Sequence, residues 1–261
     1  MKPLALTALA CALCSAVPSY AGNACEVKSG PNTAALVELY TSEGCSSCPP
    51  ADRQLSKLNE LAPGASIVPL SLHVTYWDNI GWKDVFAQEK FDDRQSALLD
   101  GKTNHVVYTP QFFVAGNELR SWHDGLPNAI RQINLRPAPV TISLKTSPAD
   151  KGMAALDVDV KSVNAQAATG DLYVALTESD LTSHVLRGEN SGATLHHDNT
   201  VRLWFGPLAL DKGSTHFHQQ VTLPAAWNPQ HLQAVAFVQE PHQGRVLQAV
   251  STAQCMSTRS S

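Results

Sequence analysis

Residues 38–50 read ELYTSEGCSSCPP: an apolar run, then Cys45 and Cys48 in a C-x-x-C spacing, then Pro49 and Pro50. A dithiol that follows a strand and opens a helix has the arrangement thiol–disulfide exchange needs. Unpaired N–H groups and the positive end of the helix dipole favour a thiolate at the first cysteine, and the second lies a turn deeper to resolve a mixed disulfide. Prolines fit a first helical turn, where an N–H needs no partner. Leu55, Leu58 and Leu61 then recur at helical spacing. The stretch therefore predicts a strand, an exposed nucleophile at Cys45, a resolving thiol at Cys48 and a helix buried beyond them.

Upstream, Lys2 precedes the apolar run LALTALACALCSAV, which ends near Ser19-Tyr20-Ala21. This reads as a secretory signal over residues 1–21, too short for a membrane span, and predicts a periplasmic or secreted chain without stable membrane insertion. Cleavage removes Cys11 and Cys14. In an oxidising compartment the remaining Cys25 and Cys255 then pair as a staple between the chain ends, once Cys45 pairs with Cys48. Loss of Lys2 leaves 18 basic against 23 acidic residues, a formal charge of -5. That balance argues against a nucleic-acid partner, because phosphate recognition wants a basic surface.

Downstream, strand-like and helix-like runs alternate as in α/β folds: AALVELYT, PPADRQLSKLNEL, SIVPLSLHV, a polar helix from about Trp82 to Leu99, a TPQFFVAGNELRSW hairpin turning at Gly116-Asn117, and a helix near LPNAIRQIN. The segment RPAPV, 136–140, then divides the chain. Beyond it the period becomes two, in VTISLK, LDVDVK, DLYVALT, TVRLWF, HFHQQVTL, LQAVAFVQ and GRVLQAV, with GENSGATLHHDNTVR as a long loop. The expected organisation is an α/β unit over 22–136 followed by an all-β sandwich over 137–261.

Thr109-Pro110 opens the strand QFFVAG beside the dithiol segment. A cis proline there turns its backbone toward the sulfurs and offers it to an extended substrate chain. Tyr76 and Trp77 are candidate substrate contacts, with Trp82 beside them, and Asp78, Arg94 and Gln95 form either a polar rim or an ion pair. His73 can stabilise a thiolate, relay a proton or, with Cys45 and Cys48, ligate Cu(I) or Zn(II). His216 and His218 share a strand face and form a second candidate pair; His196-His197 stand nearby in sequence. Three functions stay open: thiol–disulfide oxidoreductase acting on protein thiols or disulfides with a redox partner protein, Cu(I) binding or delivery, and a non-catalytic binding module with a structural disulfide. The first needs no added cofactor, since the dithiol is itself the redox group.

LYTSEGCSSC resembles the dithiol segment of glutaredoxins, and TPQFFVAG resembles the cis-proline strand of the thioredoxin and glutaredoxin superfamily, over about residues 34–135. VELYTSEGCSSCPPAD, HVTYWDNIGWKD, Arg94-Gln95 and VYTPQ together resemble a family of secreted bacterial thioredoxin-like proteins of undetermined function. The resemblance implies an α/β thioredoxin-like fold and gives Glu38 the role of the buried acid that passes protons to the resolving cysteine. The chain departs from the patterns at Gly44, where thioredoxins carry tryptophan, at Pro49, and at Thr75, where the family often has aspartate.

Overall fold

The computed structural model describes residues 24–103, 105–149, 152–164, 167–242 and 244–257. The signal read in residues 1–21 lies outside them. The elements are β1 (Cys25–Lys28), β2 (Ala35–Thr41), α1 (Cys48–Ser56), α2 (Leu58–Leu61), β3 (Ile67–His73), α3 (Glu89–Ala97), β4 (Gln111–Val114), β5 (Asn117–Glu118) and α4 (Trp122–Asn134). Then follow β6 (Val140–Ala149), β7 (Met153–Ser162), β8 (Asp171–Glu178), β9 (Leu181–His184), β10 (Thr194–His197), β11 (Thr200–Ala209), β12 (Ser214–Thr222), β13 (Leu232–Gln239), β14 (Val246–Ser251) and α5 (Ala253–Ser257).

The architecture is mostly β. A mixed eight-stranded sheet has the order β14-β13-β8-β11-β3-β2-β4-β5 and so crosses the RPAPV segment. Its bridge is narrow: β11 meets β3 in parallel at Thr200–Ser71. A four-stranded sheet, β1-β6-β7-β12, covers one end, and β9 and β10 form a separate hairpin. β1, which has no counterpart in the sequence reading, pairs with β6 and carries Cys25 to its disulfide with Cys255.

Two apolar cores share the central strands. Leu172, Val174 and Leu176 of β8 and Ala234, Ala236 and Val238 of β13 face β6 and β7. Tyr173 and Ala175, with Val235 and Phe237, point the other way into the core around β2, β3, β4 and the helices. Successive side chains of a strand alternate between faces, so strands covered on both sides read as continuous apolar runs. By contrast, β7 buries Leu156, Val158 and Val160 while Asp159 and Lys161 face solvent.

Several boundaries differ from the sequence reading. The helix after Cys48 breaks at Lys57, which leaves Leu55 and Leu58 buried but Leu61 38% exposed. The polar helix begins at Glu89 and not at Trp82, because Trp82 is bound by the Glu43 carboxylate and Asp84 by the Glu43 N–H and His73. The hairpin turns on Ala115 and Gly116, with φ of 48° and 84°, one residue earlier than read. The last helix starts at Trp122, upstream of Pro127. That proline cannot donate to the His123 carbonyl, and Gln54 Nε2 donates there instead at 2.9 Å, tying α1 to α4. The segment 188–202, read as a loop, contains β10, while the strand read in TVRLWF is the start of β11.

Candidate functional site

Cys45 and Cys48 form a disulfide at the entrance to α1, with Pro49 and Pro50 in the first helical turn. Ser47 Oγ lies 3.4 Å from Cys45 Sγ. The Thr109–Pro110 bond is cis. From the Tyr40–Gln111 pair, one further step of antiparallel register puts Pro110 beside Thr41, at the strand end from which the dithiol loop leaves. Tyr76, whose hydroxyl is pushed up to about 12 by burial, donates to Gln95 Oε1 and lies near Thr109. Gln95 in turn donates to the Tyr108 carbonyl at 2.9 Å, so α3 holds the segment before the proline. Thr75 donates its N–H and its hydroxyl to Asp92, an acid supplied from α3. A side chain begun at Gly44 would meet Trp77 Cβ at 3.3 Å, so Trp77 occupies the space beside the loop.

The expectation of an exposed nucleophile is overturned. Cys45 and Cys48 are both 0% exposed. The segment joining β9 to β10 docks on the dithiol loop. Asn190 Nδ2 donates to the Glu43 carbonyl at 2.8 Å and the Cys45 carbonyl at 3.0 Å, and Glu189 accepts the Ser46 N–H at 3.0 Å. Sequence reasoning missed this contact because it links positions about 145 apart.

Beneath the loop lies a buried acid–base cluster, of which the sequence reading found only His73. Its Nδ1 meets Asp84 Oδ2 at 2.7 Å, and its ring stands edge-on to that of His197 at 5.2 Å. His197 Nε2 is 3.3 Å from Glu43 Oε1, while Glu43 Oε2 accepts Trp82 Nε1 at 2.6 Å. Asp52, one helical turn beyond Cys48, lies within electrostatic reach of His73, His197 and Asp84. Burial pushes Asp52 above its ordinary carboxylate value. Burial also presses His73 down, but Asp84 outweighs it and holds the imidazole above its ordinary value. For Asp84 burial pushes up, yet His73 and the N–H groups of Glu43 and Phe86 keep it below.

Among the described residues, most of the buried polar atoms without a well-aligned hydrogen bond lie here: Thr41 Oγ1, Asp52 Oδ1, His73 Nε2, His197 Nδ1, and the facing Glu43 Oε1 and His197 Nε2, whose 3.3 Å approach is an ion-pair contact; Thr109, Glu178 and Thr200 carry the others. A buried polar group without a good partner is costly, so their concentration in one place calls for an explanation. No group of three His, Cys, Asp or Glu side chains among the described residues is arranged to hold a metal ion.

Glu38 stands apart from this cluster. Arg94 grips both its oxygens, at 2.6 and 3.1 Å, and Tyr40 donates to it at 3.4 Å. The Arg94 guanidinium is enclosed by Tyr173, Trp204 and Phe237, each about 5 Å from it, and donates to Gln239. Burial alone would lower this guanidinium's proton affinity, but Glu38 reverses the sign. Glu38 of β2 thus serves an ion pair with Arg94 of α3, which in turn reaches Gln239 and the aromatic rings of the second half, and the acid borne on the dithiol helix is Asp52.

A crystal structure of an Agrobacterium tumefaciens protein is similar over 84% of this chain and 94% of its own, with 22% identity and a TM-score of 0.56. HBP35 of Porphyromonas gingivalis is similar over 85% of this chain and 76% of its own, with 16% identity and a TM-score of 0.68. At such identities the likeness is one of fold. No curated protein matches the sequence. A family profile described as protein of unknown function (DUF1223) matches residues 36–239, from the strand that enters the dithiol loop to the end of β13, and the chain belongs to that family.

Proposed function

We propose that this chain is an exported thiol–disulfide oxidoreductase whose Cys45–Cys48 pair exchanges with protein thiols or disulfides, on a thioredoxin-like unit over residues 22–136. The carrying observation is a C-x-x-C disulfide at a helix entrance with a closed acid–base cluster one turn along the helix. In the reducing direction the Cys45 thiolate attacks a substrate disulfide and expels one substrate thiolate. Cys48 then attacks Cys45 Sγ, expelling the second and closing the disulfide. The reverse sequence oxidises two substrate thiols. Each step needs a proton acceptor for the attacking thiol and a donor for the leaving sulfur; Asp52, with His73 and Asp84 behind it, is suited to exchange protons with Cys48. Thr109-Pro110 and Tyr76 line the substrate side, and Trp77 keeps the loop in position.

Because both sulfurs are covered, exchange requires the β9–β10 segment to lift from Glu43, Cys45 and Ser46. The second segment of the chain, 137–261, thereby controls access to chemistry in the first. A second reading is favoured by that same burial: a non-catalytic binding module in which Cys45–Cys48 is a staple. Reduction by a protein dithiol, followed by alkylation and mass spectrometry, separates the two. Exchange that is lost in Cys45→Ser, with a mixed disulfide trapped by Cys48→Ser, supports the oxidoreductase. A disulfide that resists reduction while the chain stays folded, even after Asn190→Ala, supports the staple.

A further inference from the structure

We propose that the outer face of the four-stranded sheet carries a divalent transition-metal site whose protein ligands are His216 and His218. The two histidines alternate with Phe217 along β12, so both project from one face. On β7, Asp159 stands in register with His216 and Asp157 with His218. Each imidazole uses Nδ1 to meet the aspartate opposite, at 3.1 Å for His216 and 2.6 Å for His218. An ionised carboxylate only accepts, so Nδ1 carries the hydrogen and the lone pair of each ring sits on Nε2.

That is the outer-shell arrangement of metal-binding histidines: a carboxylate fixes the tautomer, orients the ring and raises the basicity of the ligating nitrogen. Here it occurs twice on alternate register positions, with the Phe217–Val158 pair between them. The histidine side chains are 59% and 51% exposed, which leaves Nε2 accessible to an ion from solvent. Side chains two apart on a strand spring from Cα atoms about 7 Å apart, within reach of one ion at about 2.0–2.1 Å from each nitrogen. Two carboxylates lend negative charge, partly opposed by Lys145, which stands in register with Asp157 on the neighbouring β6, and by Lys161 farther along β7. Two nitrogen ligands with water completing the shell suit Cu(II), Ni(II) and Zn(II), and do not suit Mg(II) or Ca(II), which require oxygen.

The exposed pair His184 and His196 on β9 and β10 is the natural control. Their Nδ1 atoms meet the hydroxyls of Thr194 and Thr182, which can donate as readily as accept and so impose no tautomer.

The test titrates Ni(II) and Zn(II) calorimetrically into the chain purified without an added histidine tag, with both disulfides oxidised so that no thiolate competes. One ion per chain is expected, with tenfold or greater weakening in His216→Ala and in His218→Ala. Asp157→Asn and Asp159→Asn, which keep both imidazoles, are each expected to weaken binding about 10–100-fold, and His184→Ala/His196→Ala to leave it unchanged. The proposal is overturned by the absence of saturable binding, by binding that survives the His216→Ala/His218→Ala double variant, or by aspartate variants that bind as tightly as the unaltered chain.

Discussion

Asn190→Ala tests whether the β9–β10 segment gates the dithiol. The amide donates to two carbonyls of the dithiol loop, Glu43 at 2.8 Å and Cys45 at 3.0 Å. Neutral hydrogen bonds contribute about 0.5–1.5 kcal/mol each, so the variant loosens the closed state by about 1–3 kcal/mol. When closing outpaces chemical attack, the reduction rate follows the open population, and 1.4 kcal/mol corresponds to a factor of ten. Reduction of Cys45–Cys48 by dithiothreitol should therefore accelerate about 5- to 150-fold. The assay quenches reduction with iodoacetamide at timed intervals and counts labels at Cys45 and Cys48 by peptide mass spectrometry. Cys25–Cys255 serves as internal control, because global unfolding would accelerate both bonds together. A rate for Cys45–Cys48 within twofold of the parent, or equal acceleration at both disulfides, would refute gating by this contact.

Glu38→Leu should destabilise the chain by about 3–5 kcal/mol in urea unfolding, since it strands the buried Arg94 guanidinium, while Glu38→Leu/Arg94→Met should recover most of that loss; a single variant within 1 kcal/mol of the parent would contradict the ion-pair reading. His73 is raised by Asp84, so its contribution is complete below about pH 6.5 and fades as pH climbs through the folded value; Asp84 is lowered, so its contribution is present above about pH 3.9 and fades as pH falls through its folded value. The pair is thus strongest between about pH 4 and 6.5, the urea midpoint should fall from pH 6 to pH 8.5, and His73→Gln should flatten that slope; an unchanged slope counts against it. Replacing Cys25 and Cys255 by serine opens a closure spanning 230 positions and should cost about 2–5 kcal/mol, against about 2 kcal/mol for the short Cys45–Cys48 loop. Equal urea midpoints for the two double variants would show that loop length is not what governs their stability.

Local chemistry was legible in the residues wherever neighbours in sequence are neighbours in space. The dithiol at a helix entrance and the short strands beyond residue 140 follow from spacing, proline and alternation. Parity among four cysteines pointed to Cys25–Cys255, and that bond is formed. Readings failed where a distant partner changes a residue's surroundings. Trp82 and Asp84 look like the first turn of a helix, yet Glu43 and His73 capture them and delay α3 to Glu89. Glu38 looks like the acid nearest the dithiol, yet Arg94 claims both its oxygens. The pattern C-x-x-C-x-x-x-D, Cys45 through Asp52, was the available signal for the acid borne on the dithiol helix, since residues four apart on a helix share a face.

Periodicity in the chain identifies which strands have one wet side, because β7 alternates apolar with charged residues. It is silent on what covers a strand that is apolar throughout. That β8 and β13 serve two cores at once, joining both halves in one eight-stranded sheet, emerges only when the layers are stacked. Solvent access follows the same rule. A cysteine's place at a helix start is written in its immediate neighbours, whereas the contacts that Asn190 and Glu189 make with its loop reach it across the fold. Short-range order arises from torsion and side-chain period along a few residues, but desolvation and pairing depend on which surfaces meet, and those are brought together by contacts far apart along the backbone.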